Sequence, residues 1–196
     1  MADEGEAPPV EWSGALNDDG VPTGDGTMTY PDGASFEGTL VDGVKQGAGT
    51  YKYADGATVY EGGFENNLKS GKGTLSFANG DKYEGDFKDG TMEGYGEMAY
   101  ASGDMYFGSF KAGKKDGEGS YHFKSASCEF TGTWSEGEFM KGDWIHKDGT
   151  VYRGSFANGK PTGVGVYHFV TVGTLQTGEY DVNGNWKGGT ISPAPA

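Results

Sequence analysis

An aromatic ring followed two residues later by glycine recurs along almost the whole chain, a pattern that suits neither a helix nor an ordinary globular core. The ring or its substitute stands at Trp12, Phe36, Tyr60, Tyr83, Tyr106, Phe130, Tyr152 and, in degenerate form, Gln176, at intervals of 22 to 24 residues. A fixed period of that length marks a repeat architecture, in which each unit buries its apolar face only against its neighbours. With the ring as position 1, most units carry glycine near position 8, and Asn67 takes that place in the third unit. A Gly-x-Gly pair follows, at Gly47/Gly49, Gly71/Gly73, Gly94/Gly96, Gly117/Gly119 and Gly163/Gly165, and each unit closes on a second turn such as "PDG", "ADG", "ANG" or "ASG".

Each unit reads as a β-hairpin. In "YEGDF", Tyr83, Gly85 and Phe87 fall on one side of a strand and Glu84 and Asp86 on the other, and the returning strand alternates in the same way. One face of the sheet is therefore built of rings and glycines, while the other carries the polar set expected against water. The 38 glycines, about a fifth of the chain against a usual ~7%, gain a role here. A glycine beside a ring leaves bare backbone on which the ring can lie, so a sheet without a second layer still hides apolar area.

Charge and composition exclude several functions. The first 44 residues hold ten acidic side chains and no Lys or Arg, while the remainder carries 15 basic groups against 19 acidic ones. With one Arg, Arg153, and no basic run beyond Lys114-Lys115, the footprint of a nucleic-acid binder is missing. Cys128 stands alone, which suits a reducing compartment and gives neither a disulfide framework nor a cysteine-rich zinc site. No apolar run approaches the ~20 residues of a membrane helix, and "MADEGEAPPVEW" lacks a signal-peptide core. A cytosolic protein is expected.

No motif demands catalysis. "GSFKAGKK" matches part of a phosphate-binding loop, but Lys115 stands where Ser or Thr should hold magnesium, and its glycines sit on the repeat's own positions. His122, His146 and His168 give no close triad, and "DVNGN" lacks the spacing and final Glu of a calcium loop. No catalytic residue, cofactor or metal is expected. Lipid attraction, worth ~1 kcal/mol per Lys or Arg, is weak as well, since Gln46, Ser70, Glu93, Asp116 and Thr162 precede the Gly-x-Gly pairs.

"YEGDFKDGTMEGYGEMAYASGDMY" resembles the MORN repeat, whose pattern is roughly YxGxWxxGxxxGxGxxxYxxGxxY. The resemblance implies an all-β fold: an elongated, twisted, single-layer antiparallel sheet of about 14–16 strands in consecutive hairpins. Seven units and a terminal half-unit would occupy residues 12–189, between an acidic N-terminal tail, 1–11, and a C-terminal tail, 190–196. The stretch "CEFTGTWSEGEF…GEYDV" is further similar to the last repeats of the radial spoke head MORN proteins of motile cilia and flagella. The matching positions are Gly132, Thr133, Trp134, Tyr152, Gly154, Phe156, Gly163, Gly165, Tyr167, Phe169, Gly178, Glu179 and Tyr180. That likeness implies a non-enzymatic scaffold of the axoneme, with other spoke head proteins, another MORN subunit or a second copy as partners. The alternative is a cytosolic MORN adaptor that links membrane or cytoskeletal structures elsewhere.

Two surfaces are candidates for protein binding. Tyr95, Phe107, Ile145 and Val164 break the alternation and should project from the polar face. Tyr60, Tyr83, Tyr106 and Tyr152, with Trp134 and Trp144 nearby, should line a partly open aromatic groove on the ring face, because aromatic residues concentrate interface energy.

Overall fold

The structure, a computed structural model, describes residues 10–195. Most of the expected acidic tail, residues 1–9, lies outside that range. The fold is all-β: among the described residues 17 strands pair antiparallel, most of them as consecutive hairpins. The count exceeds 14–16 because the first strand is split. Glu11–Trp12 pairs with Met28 and Thr29, Ala15–Leu16 pairs with Pro22 and Thr23, and Gly14 between them lies under the Trp12 indole.

The chain divides into two compact units, residues 1–92 and 93–196. In the first, the hairpin of Val59–Glu65 and Leu68–Ser76 shows how a repeat is made. Its tight turn is Asn66-Asn67, with φ of 50° and 70°. Two consecutive left-handed residues make the two-residue turn that matches strand twist. Asp42-Gly43 and Asp89-Gly90 serve the neighbouring hairpins of this unit, and Asn158-Gly159 does the same in the second.

The two glycines of Gly-x-Gly have different duties. Gly71 has φ 70° within a bulge, where Gly62 faces Gly73 but Phe64 faces Lys69. Gly73 lies beneath the Tyr60 ring: a Cβ there would stand 2.6 Å from Cε2 and Oη. Gly62, directly opposite, faces the same ring. The ring thus covers a glycine pair across two strands, and its hydroxyl donates to the Gly63 carbonyl at 2.9 Å. Phe36 covers Gly38 and Gly49 in the same unit.

The second unit repeats the device with Tyr106 over Gly108 and Gly119 and Tyr152 over Gly154 and Gly165. Its irregular hairpin, Cys128–Ser135 with Glu138–Ile145, departs from it. Phe139 takes the space above Gly142 and stacks on Phe130 at 4.9 Å. Near the end, Val170–Val172 forms a 3-10 turn closed by left-handed Gly173, and the last strand, Trp186–Pro193, runs past residue 189.

Candidate protein-docking surface

The ring face of each unit has two levels. Its floor is the alternation of position 1 with position 5. In the first unit Phe64 meets Phe36 and Tyr60 edge-on at 5.1 and 5.2 Å, and Phe87 meets Tyr60 and Tyr83 at 4.9 and 5.2 Å. In the second, Tyr106 meets Phe110 and Trp134 at 5.2 and 5.3 Å, and Tyr152 meets Phe156 at 5.7 Å. Edge-to-face pairs at these distances are favourable beyond the area they bury.

Tyr60, Tyr83, Tyr106 and Tyr152 are fully buried within the chain and Trp134 is nearly so. The tyrosines are floor: glycines at positions 3 and 14 let the rings of Tyr60, Tyr106 and Tyr152 lie on bare backbone. Burial raises the Tyr60 phenol to about 12 and raises that of Tyr106 as well. The four tyrosines present no surface to a partner, whereas the Trp134 edge still lines a cavity of the second unit.

The accessible level is formed by rings on the returning strands, at positions 16 and 18. In the first unit Tyr51 and Tyr53 are half-buried, 4.8 Å apart, and line a cavity of about 330 Å³. In the second, half-buried Tyr121 and Phe123 line another of about 330 Å³, together with Lys115, Trp134, Phe139 and the half-buried position 1 ring of Phe130. Trp144, also half-buried, packs against the His146 ring at 4.0 Å with the planes tilted by 35°, and borders a wider cleft of about 630 Å³ with Cys128 and Asp148. Its Nε1 and the His146 Nε2 are buried without a hydrogen-bond partner, and burial lowers the His146 pKa.

Sequence reasoning missed three lysines on this face. Lys45 Nζ lies 5.3 to 5.5 Å from the ring centres of Tyr30, Phe36 and Tyr51. Lys69 Nζ lies 5.6 to 5.7 Å from those of Tyr53, Tyr60 and Phe87, and donates to the Tyr53 hydroxyl at 3.0 Å. In the second unit, Lys115 Nζ sits 4.3 Å over Trp134 and 4.6 Å over Tyr121. All three occupy position 10, a regularity present in the sequence, and they are the half-buried lysines of the described residues, the others being exposed. Burial holds the Lys115 amine down at about 8. Their place is fixed by backbone bonds from the next turn: Asn67 N–H donates to the Lys45 carbonyl, Gly90 N–H to that of Lys69, and Gly137 N–H to that of Lys115.

On the polar face, Tyr95, Phe107 and Val164 are exposed and Ile145 is half-buried. Tyr95 stands opposite Ser109 and Phe107 opposite Glu97, which makes the two rings diagonal neighbours on one face. Ile145 sits between Glu129 and Val151, and Val164 opposite Glu179. His122 approaches Glu129 at 3.7 Å, and His168 lines a separate pocket beside the Arg153–Asp143 ion pair. Among the described residues no group of three or more His, Cys, Asp or Glu is placed to hold a metal.

Among solved structures, the chain is similar to the TCP10 domain of CPAP from Danio rerio. The E1021V mutant matches at 14% identity and a TM-score of 0.31, over 94% of this chain and 95% of that one. The wild type matches at 15% and 0.31 over the same shares. The wild type in complex with a peptide of Danio rerio STIL matches at 11% and 0.28, over 95% and 100%. No curated protein sequence matches the chain. The MORN repeat matches residues 18–35, 36–58, 60–82, 83–105, 106–127 and 152–171, passing over the irregular hairpin around Phe139. With six repeats recognised over more than half of its length, the chain belongs to the MORN repeat family.

Proposed function

We propose that this protein is a non-enzymatic scaffold that binds other proteins through its sheet, and that it works in the radial spoke head of a motile cilium or flagellum. The observation that carries the binding role is the open upper level of the ring face. Half-buried Tyr51 and Tyr53 line a cavity of about 330 Å³ in the first unit, beside Lys45 and Lys69. Partly exposed aromatic residues around a concave site are the usual anchors of protein recognition. The spoke reading rests on the resemblance of the C-terminal stretch and its irregularities: one residue and one glycine lost in the Phe130 unit, and "VTVGTLQ" in place of an ordinary turn, which folds as the Val170–Val172 3-10 turn.

Fractionation of flagella carrying the tagged protein tests this. A spoke component stays with demembranated axonemes and leaves in high salt. Release with detergent would overturn the spoke assignment in favour of a membrane-linked adaptor.

A further inference from the structure

The chain has 29 acidic residues against 15 basic ones, yet the accessible ring surface of the first unit offers cations. Lys45 and Lys69 both line its cavity, with Tyr51, Tyr53 and Leu68. Among the described residues neither has a carboxylate within ion-pair distance although both are half-buried, whereas the paired Lys72, Lys82, Lys114, Arg153 and Lys187 are exposed. A buried or half-buried ammonium normally finds a counter-charge. Here ring faces supply part of it by cation–π attraction, the Tyr53 hydroxyl accepts from Lys69, and a carboxylate from another molecule would supply the counter-charge.

We propose that this groove binds an extended acidic segment of a partner protein, with carboxylates three residues apart on one side and apolar or proline residues between them. The spacing follows from the repeat. Lys45 and Lys69 are equivalent positions separated by one intervening strand, Val59–Glu65. Two strand spacings are about 10 Å, and a polyproline II segment brings every third side chain back to the same side after about 9 Å. Such a segment, running across the strands, sets one carboxylate at each lysine and lays the residues between on Tyr51 and Tyr53. Its backbone needs no ladder partner, which suits a surface of rings. Lys115, caged by Tyr106, Tyr121 and Trp134 in the second unit, is the same device in a single copy.

This proposal names the partner chemistry of the docking role above and rests on it. The test uses the full chain and a fluorescent peptide carrying Glu at every third position with Pro between, followed by anisotropy. A second peptide of the same composition has its glutamates grouped at one end. The spaced peptide should bind about tenfold more tightly than the grouped one, and Lys45→Gln with Lys69→Gln should cost about tenfold or more, within the range of charge-pair losses at interfaces. Lys52→Gln, on the polar face, should change affinity less than about twofold, as exposed charges do. Equal binding of the two peptides, an unaffected double variant, or tighter binding of a uridine oligonucleotide would overturn the proposal. The double variant is also put through the axoneme fractionation. If wild-type protein is retained there and the double variant equally so, the scaffold reading stands and the acidic-segment proposal falls. If wild-type protein is not retained but the peptide results hold, only the spoke assignment falls.

Discussion

Gly73→Ala isolates the contact on which the fold depends. Gly73 needs no left-handed backbone, so alanine faces no backbone strain and should even gain ~0.4–1 kcal/mol from a less flexible unfolded chain. Against that gain, its Cβ would stand 2.6 Å from two atoms of the Tyr60 ring and 2.8 Å from a third. Tyr60 is fully buried beneath Phe64 and Phe87, at 5.2 and 4.9 Å, and has no open direction in which to move. Overpacking a filled site costs ~1–3 kcal/mol, so the net loss should be about 1–2 kcal/mol. Tyr60→Leu supplies the control, because the offending atoms, Cε2, Cζ and Oη, lie beyond the reach of leucine. In that background Gly73→Ala should be neutral or stabilising by a few tenths of a kcal/mol, giving a coupling of about 1–3 kcal/mol in a double-mutant cycle. Urea denaturation followed by circular dichroism measures all four proteins. Equal destabilisation by Gly73→Ala in both backgrounds would refute the account of rings seated on glycine.

Gly159→Ala separates the other use of glycine. Its φ is 71° and a Cβ there would meet nothing within 4 Å, so the cost, ~1–2 kcal/mol, is purely conformational and should be largely recovered by Gly159→Asn in the same denaturation assay. Trp134→Ala should destabilise the chain by ~3–5 kcal/mol, because its indole is floor and also donates to the Gly119 carbonyl at 3.1 Å; loss of partner binding with unchanged stability would contradict that placement. Lys115→Met tests the caged amine. Below about pH 8 the lysine is charged in both folded and unfolded chains and the burial cost stands in full; between about 8 and the ordinary 10.5 only the unfolded chain keeps the proton, so wild-type stability rises with pH. Methionine should therefore stabilise at pH 7, by roughly 1–2 kcal/mol once exposure is discounted, and the advantage should fade by pH 10; an advantage independent of pH would rule out the charge as its cause. Tyr95→Ser with Phe107→Ser should leave stability within about 1 kcal/mol, as exposed substitutions do, and reduce co-purification of axonemal proteins if that diagonal pair is a contact; unchanged co-purification removes it as one.

The sequence carries the hairpins plainly because turn chemistry is local. Asp42-Gly43, Asp89-Gly90 and Asn158-Gly159 can be read as two-residue turns from residue type alone, and the structure gives both members of each pair positive φ. The polar-face exceptions Tyr95, Phe107 and Val164 were also legible, since a side chain's face follows from counting by two, and all three are exposed. Depth within a face is another matter. Position 1 and position 16 both point to the ring side, yet Tyr60 is fully buried while Tyr51 is half-exposed. Alternation gives the side of the sheet; which ring lies flat on glycine and which stands above it depends on cross-strand neighbours that counting does not supply.

The position 10 lysines show the same gap from the polar side. In an acidic chain a lysine two residues beyond a tight turn reads as solvated charge, and Lys114 beside it is just that, paired with Glu136 at 2.7 Å. Lys115 is turned over three rings because the strand alternation puts it on the opposite face and the Gly137 N–H holds its carbonyl at 2.8 Å. The substitutions at this position then become informative. Phe139 occupies it in the irregular hairpin, where it stacks on Phe130 at 4.9 Å and approaches Phe156 at 4.8 Å, so a ring stands where three of the repeats carry an ammonium. Position 10 is thus the variable that decides whether a repeat brings an ammonium, a ring or another side chain to its ring face. On that basis the cavity of the first unit, with Lys45 and Lys69, offers an acidic partner two cations, and the cavity beside the irregular hairpin, where Phe139 stands near Lys115, offers one.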